Sequence, residues 1–171
     1  MDYINNRLLK LNKQQHYTTM KKATIFLFSI LISGTIFGQE NNEKLYQAIV
    51  KGDTALTRQL LNDKADPNFI KSSGPWMKVN LLTTAVNTGN ITMVKMLIEN
   101  KADVKWKDGF NTTSLMYAAS KGNKDIVAFL LDNGAEINDN DGKGNSVLSA
   151  AKESKNKELV KFINAKLKEN K

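Results

Sequence analysis

Residues that could carry out chemistry are scarce in this sequence, which limits the reactions open to the protein. The 171 residues include no cysteine and a single histidine, His16. Thiol nucleophiles, disulfides and cysteine-ligated zinc are therefore excluded. A general-base histidine or a Ser-His-Asp triad would depend on His16 alone. The scattered serine and threonine residues have no base to activate them.

Two short segments could still hold a ligand, but both depart from the pattern that their chemistry requires. If Asp139 and Asp141 are placed at the third and fifth positions of a calcium loop, the first and twelfth positions are aliphatic. Residues 142–145 combine glycine and lysine, yet they lack the G-x-x-x-x-G-K-S/T spacing of a phosphate loop and a preceding buried strand. We therefore predict no catalytic residue, no metal site, no cofactor and no enzymatic activity.

The N-terminal residues have the layout of a secretory signal peptide. Residues 23–37 form an uncharged apolar run of 15, preceded by two lysines and followed by Gly38 and a polar segment. A membrane span needs about 20 residues, whereas the order basic, apolar, small is typical of a secretion signal. We predict a signal peptide over residues 20–38, cleaved after Gly38, and a mature chain that begins at Gln39. The expected location is periplasmic or secreted.

Two alternatives remain open for this region. The apolar run could be retained as a membrane anchor instead of being cleaved. Residues 1–19 are interpreted as an upstream extension, because Met20 followed by two lysines is a natural start for such a signal. The alternative is that they are a long basic segment of the signal. Lipoprotein processing is excluded, since no cysteine follows the apolar run.

Removal of residues 1–38 changes the charge of the chain and its chemistry. His16 is lost together with five basic residues and one acidic residue, which leaves 20 basic and 16 acidic residues. Residues 152–171 hold seven lysines and three glutamates, so this segment accounts for the whole net charge of +4. The rest of the mature chain is neutral, and we predict no nucleic-acid partner.

A repeat of about 33 residues organises the chain after the signal. Leucine-alanine segments recur at spacings of 37, 33 and 33 residues, and the segments ADPN, ADVK and AEIN recur in the same register. The corresponding leucines are Leu45, Leu82, Leu115 and Leu148. The first interval therefore contains a four-residue insertion. Two independent markers in one register indicate a repeat architecture over residues 39–171.

Each unit is predicted to be a pair of short antiparallel helices followed by a polar hairpin. Gly89 and Gly122 would end the first helix at a position suited to positive φ. The second helix carries an apolar stripe, over 93–98 in one unit and 126–131 in the next. One helix pair cannot bury that stripe alone, so the units must stack into a solenoid. The predicted units are 43–79, 80–112, 113–145 and 146–171.

These residues resemble the ankyrin repeat family over about residues 43–168. The T-P-L-H-x-A-A signature appears as residues 113–119, and the family's V-V-x-L-L-L and G-A-D-x-N ending is close to residues 126–138. The signature proline is missing, and Thr83, Met116 and Ser149 replace its histidine. The resemblance implies an all-α solenoid of about four helix-turn-helix units with hairpin loops, with the first and last units acting as caps.

The resemblance also implies where a partner binds. Partners of ankyrin repeats usually dock on the hairpin tips and on exposed positions of the first helices, which together form a concave groove. In this sequence the corresponding candidate residues are Trp76, Met77, Thr84, Lys107, Phe110, Thr112, Tyr117, Asn140, Lys143 and Asn145. Trp76 could instead fold back on its own loop. Asp108 and Asp141 match hairpin aspartates and are expected to be turn residues.

The expected function is binding of another protein by a monomer in a bacterial export context, with no stable membrane anchor after cleavage. The partner could be an envelope enzyme that the protein assists. An alternative is an immunity-type protein that neutralises a toxin outside the cytoplasm. Another alternative is a scaffold that contacts anionic glycan or membrane through the lysine-rich C-terminal helix.

Overall fold

A computed structural model of the chain describes Lys21, residues 38–74 and residues 77–170, and it divides the chain into two compact units. The first unit is Met1–Glu40, of which Lys21 and residues 38–40 are described, all of them helical. The second unit is Asn41–Lys171 and contains the repeats. The predicted extension, most of the predicted signal peptide and Trp76 lie outside the described residues.

The described part of the second unit contains four helix pairs and one short antiparallel hairpin. Residues 41–51 are helical and are called α1 here. The other elements are α2 (Thr54–Asn62), β1 (Ile70–Ser72), β2 (Lys78–Asn80), α3 (Leu81–Thr88), α4 (Ile91–Glu99), α5 (Ser114–Ser120), α6 (Lys124–Asp132), α7 (Val147–Glu153) and α8 (Lys157–Glu169).

A polar residue sets the start of every helix from α2 to α8. Its side-chain oxygen accepts a hydrogen bond from a backbone N–H of the first turn, which otherwise has no partner within the helix. Replacing such a cap by alanine costs about 1 kcal/mol. The caps are Asp53, Asn80, Asn90, Thr113, Asn123, Ser146 and Asn156. Because these caps recur with the repeat, each unit begins its two helices at equivalent positions.

The turn between the two helices of each unit passes through the left-handed region. Gly89 and Gly122 have φ angles of 73° and 71°, which confirms the predicted helix ends. In the last unit the equivalent residue is Lys155, with a φ of 59°. A residue with a Cβ atom is strained in this conformation, whereas glycine is not. The last turn is therefore the least favourable of the series.

The helices pack in two layers that run along the stack. The first helices α3, α5 and α7 pack side by side, and α2, α4 and α6 form the second layer. Small residues such as Ala85 and Ala118 are completely buried in the first layer, where another helix approaches closely. In α4 the predicted stripe is buried at Met93, Val94 and Leu97. This arrangement confirms the predicted helical solenoid.

The hairpins differ between units. In the first hairpin β1 pairs with β2 through Ile70↔Asn80, Lys71↔Val79 and Ser72↔Lys78. The later hairpins have single bridges, Lys107↔Thr113 and Asn140↔Ser146. The four-residue insertion of the first interval lies in the longer hairpin. It gives the strands enough length to form a ladder.

The last helix closes the stack. Leu159 and Ile163 of α8 are buried, while Lys157, Lys161 and Lys168 are exposed. This division agrees with the predicted cap, in which apolar residues share one face and lysines meet solvent. Within the described residues, none of the helices has the length and apolar character needed to cross a membrane.

Candidate partner-binding groove

A pocket of about 340 Å³ opens between the first two hairpins of the repeat region. Both hairpins contribute to it, together with α1, α3 and α5, so residues from three repeats meet there. The lining side chains are Tyr46, Lys71, Ser73, Met77, Lys78, Val79, Thr83, Asn87, Asp108, Phe110 and Tyr117. The volume lies at the lower end of the range of about 300–1,000 Å³ that is usual for ligand sites.

Two exposed apolar side chains stand at this pocket. Met77 is 60% exposed and Phe110 is 55% exposed, which makes them the most exposed large hydrophobic residues of the described chain. Methionine and aromatic residues are enriched in protein interfaces. The structure thus brings together Met77, Phe110 and Tyr117, three residues that the sequence predicted for partner binding.

Tyr117 is anchored to the turn that carries Phe110. Its hydroxyl donates a hydrogen bond of 2.6 Å to Oδ2 of Asp108. Oδ1 of the same carboxylate accepts from the backbone N–H groups of Phe110 at 2.8 Å and Thr112 at 2.9 Å. Burial, reinforced by the hydrogen bond to Asp108 and its charge, raises the pKa of Tyr117 to about 12. Tyr117 is therefore a neutral donor near pH 7, and Asp108 is the turn residue that the sequence indicated.

Lysine side chains form the opposite wall. Nζ of Lys71 lies 2.8 Å from both carboxylate oxygens of Glu43 and 5.6 Å from the ring centroid of Tyr46. The hydrogen bond from Lys71 lowers the pKa of Glu43. Lys78 is exposed and has no carboxylate partner among the described residues. The charge of Lys71 is thus matched locally, whereas that of Lys78 is not.

The candidates from the last hairpin lie apart from the pocket. Asn140, Lys143 and Asn145 are exposed at its tip, and none of them lines the pocket. Asp141 organises this turn by accepting the backbone N–H groups of Lys143 at 2.7 Å and Asn145 at 3.0 Å. These bonds, together with one from the Asn145 side chain, lower the pKa of Asp141.

Lys107 and Thr112 also lie outside the pocket lining. Nζ of Lys107 is 3.1 Å from Oδ1 of Asp139, so this side chain links the second and third hairpins. Thr112 is half-buried, and its backbone N–H is used by Asp108.

Thr84 corrects one expectation about exposure. It was expected at an exposed position of a first helix, but only 9% of its surface is accessible. Its hydroxyl donates a hydrogen bond of 2.9 Å to the backbone carbonyl of Asn80. The equivalent residue in the next unit, Tyr117, is long enough to reach the groove, whereas the short threonine side chain is used within its own helix.

Several lining residues were missed by the sequence analysis. Tyr46 belongs to the first unit, which was interpreted only as a cap. Lys71, Lys78 and Val79 lie in the hairpin whose insertion removed the family's usual landmarks. The signal that could have found the two lysines is their position just before and at the end of the segment 72–78, which contains the four-residue insertion.

The described residues offer little for metal chemistry. No group of three or more His, Cys, Asp or Glu residues in this part of the chain is arranged to hold a metal ion. Every buried side-chain nitrogen or oxygen there has a hydrogen-bond partner. The buried polar side chains of the described residues thus have their partners within the protein.

Comparison with known proteins gives a family for this architecture. A family model described as ankyrin repeats, three copies, matches residues 45–141 and 81–170. No curated protein matches the chain. The two matched ranges together span all four helix pairs and more than half of the sequence. The chain therefore belongs to the ankyrin repeat family, whose fold is a non-enzymatic protein-interaction fold.

Proposed function

We propose that this protein binds another protein outside the cytoplasm, through the pocket between its first two hairpins. The observation that carries the proposal is the exposure of Met77 and Phe110 beside a pocket of about 340 Å³. A partner that covers both side chains would remove about half of their apolar surface from water. At about 25 cal/mol per Å² this contributes on the order of 1 kcal/mol or more for each residue.

The anchored turn also supports binding at this place. Phe110 follows directly from the Asp108 turn, whose carboxylate accepts two backbone N–H groups and the Tyr117 hydroxyl. A turn held by three hydrogen bonds loses little conformational freedom when a partner arrives. Rigid apolar residues of this kind bind at a lower entropic cost than mobile ones.

The proposed location rests on the sequence of residues 20–38. Two lysines, an uncharged apolar run and a small residue follow one another in the order of a secretion signal. The proposed mature chain begins at Gln39. A partner would then be sought among envelope and secreted proteins.

The experiment is a pull-down from envelope and secreted fractions with the full 171-residue chain as bait. The pocket variant carries Met77→Ala and Phe110→Ala. The control variant carries Val50→Ala and Leu56→Ala, two exposed apolar residues that do not line the pocket. Circular dichroism verifies that both variants keep the helical fold. N-terminal sequencing of the native protein recovered from each fraction is expected to read from Gln39.

We expect one protein to be retained by the wild type and by the control variant and to be lost with the pocket variant. Equal retention by all three baits would refute binding through the pocket. Recovery of the native chain only from the cytoplasm, with its N-terminal residues intact, would refute the proposed location.

A further inference from the structure

The two walls of the pocket differ in chemical character. The wall formed by the first hairpin contributes Lys71 and Lys78, and the wall formed by the second hairpin and α5 contributes Phe110 and Tyr117. Val79, also on the first hairpin, adds an apolar surface beside the lysines. Met77 lies beside Lys78 on the first hairpin, so a ligand that contacts both walls meets apolar side chains on each wall and an ammonium group on the first.

The charges of the pocket are not equally available to a ligand. Lys71 is already paired with Glu43, since its Nζ lies 2.8 Å from both carboxylate oxygens. Both oxygens of Asp108 have donors within the protein. The ammonium group of Lys78 is the lining cation that has no carboxylate partner among the described residues. An uncompensated ammonium group at the edge of a pocket favours a carboxylate.

The position of the apolar residues favours a polypeptide over a small molecule. Met77 and Phe110 are each more than half exposed. A small molecule seated inside the pocket would leave most of this surface in water, whereas a segment of chain passing over the pocket would cover it. The volume of about 340 Å³ is sufficient for one large side chain below such a segment.

We infer that the pocket recognises an acidic segment of a partner protein, in which one leucine-like or aromatic side chain is flanked by a carboxylate. The apolar side chain contacts Met77 and Phe110, and the carboxylate pairs with Lys78. This inference rests on the proposed function and adds to it the chemistry of the partner.

The first test is a selection of random heptapeptides displayed against the full chain. We expect enriched sequences to combine a large apolar residue with aspartate or glutamate within two positions of it. The affinity of one enriched peptide is then measured by fluorescence anisotropy. The double substitution Met77→Ala and Phe110→Ala is expected to weaken binding at least about tenfold, since exposed aromatic anchors dominate interface energies.

The second test exchanges charges. Lys78→Glu is expected to lower the affinity for the acidic peptide about fivefold. A peptide with lysine in place of the acidic residue is expected to bind the Lys78→Glu variant better than it binds the wild type. Arg58→Glu is the matched control, because it makes the same charge change at an exposed position of α2 outside the pocket. It should leave the affinity unchanged.

Enriched peptides without acidic residues, or no enrichment, would overturn the inference, as would equal effects of Lys78→Glu and Arg58→Glu. Displacement of the peptide by an equal concentration of 3-phenylpropionate would also overturn it, in favour of a site for small acids. A pull-down partner that is lost with the Met77→Ala and Phe110→Ala bait but retained with the Lys78→Glu bait would leave the proposed function standing and remove only the acidic specificity.

Discussion

At the scale of single residues, each hairpin aspartate holds its turn with three hydrogen bonds, two from backbone N–H groups and one from a side chain. Asp108 and Asp141 each accept two backbone N–H groups with one oxygen. The second oxygen of Asp108 accepts from the Tyr117 hydroxyl, whereas that of Asp141 accepts from the Asn145 side chain at 2.6 Å. The turn of the second repeat, residues 80–112, thus depends on an aromatic residue of α5, and this links the turn to a wall of the pocket.

Tyr117→Phe tests this link through pH. The folded state raises the pKa of Tyr117 to about 12, from an unperturbed value of about 10. The protonated hydroxyl is therefore favoured in the folded state, and its stabilising effect is complete below about pH 10 and is lost as the pH rises to about 12. We expect Tyr117→Phe to lower the free energy of unfolding by about 1 kcal/mol at pH 7, and we expect this difference to shrink above pH 10.

Urea unfolding from pH 7 to pH 11 measures this difference. Tyr46→Phe is the control, because the hydroxyl of Tyr46 has no hydrogen bond to another described residue although its ring lies in the same groove. A difference between wild type and Tyr117→Phe that stays constant up to pH 11 would contradict the proposed coupling.

At the scale of elements, the turn between paired helices is the most constrained backbone position of each unit. Gly52, Gly89, Gly122 and Lys155 occupy it with φ angles from 59° to 75°. A Cβ atom at Gly89 would have no neighbour within 4 Å, whereas one at Gly122 would lie 3.3 Å from the Cβ and Oγ atoms of Ser154. A side chain at position 89 is thus disfavoured by the backbone conformation alone. A side chain at position 122 is disfavoured by the backbone conformation and also by contact with Ser154 of the next repeat.

Three substitutions at this turn should separate the two effects. Lys155→Gly is expected to raise the free energy of unfolding by about 1 kcal/mol, because it removes the left-handed strain of a side chain. Gly89→Ala is expected to lower it by about 1 kcal/mol for the same reason. Gly122→Ala is expected to lower it further, since Ser154 must also move. Equilibrium urea unfolding gives all three values, and equal losses for the two alanine variants would contradict the close contact.

At the scale of the whole molecule, hydrogen bonds between repeats supplement the apolar core. Asn68 accepts from the backbone N–H of Asp103 at 2.7 Å and donates to the carbonyl of Lys101 at 3.0 Å. The equivalent position in the next unit is Lys105, which forms an ion pair with Glu136. Both partners of that pair are exposed, and such pairs contribute only about 0–1 kcal/mol. The stability of a solenoid depends on these interfaces as well as on each repeat.

Asn68→Ala is therefore expected to weaken the coupling between the first two units. We expect a loss of about 1–2 kcal/mol and a broader urea transition with a lower m-value, because the first unit can then unfold separately. Asn164→Ala is the control, since its side chain donates to Val160 within the same helix. Circular dichroism and tryptophan fluorescence should give coincident transitions for the control and separate ones for Asn68→Ala. Coincident transitions in both variants would show that this bond does not couple the units.

Much of the fold could be predicted from the sequence because it depends on local patterns. The glycines at 89 and 122 mark helix ends because no other residue takes a positive φ so readily. The apolar stripes of α4 and α6 recur at helical spacing, and they predict which face is buried. The exposure of Thr84 was predicted wrongly, because exposure depends on the length of a side chain and on its neighbours as well as on its place in the repeat.

The groove could be predicted only in part. Met77, Phe110 and Tyr117 were expected to face a partner, and the structure brings them to one pocket. The contribution of Tyr46 was missed because the first unit was interpreted only as a cap, and that of Lys71 because it lies in the hairpin that carries the insertion. The location outside the cytoplasm stays a prediction.

The sequence by itself determined the period of the repeats, the helix pairs and the family, because helix caps, turn glycines and apolar stripes act over a few residues and recur in register. Only the tertiary structure decided which side chains share the pocket. Tyr46 and Tyr117 lie 71 residues apart in the sequence, and both line the pocket because burial of the apolar stripes forces successive units to stack.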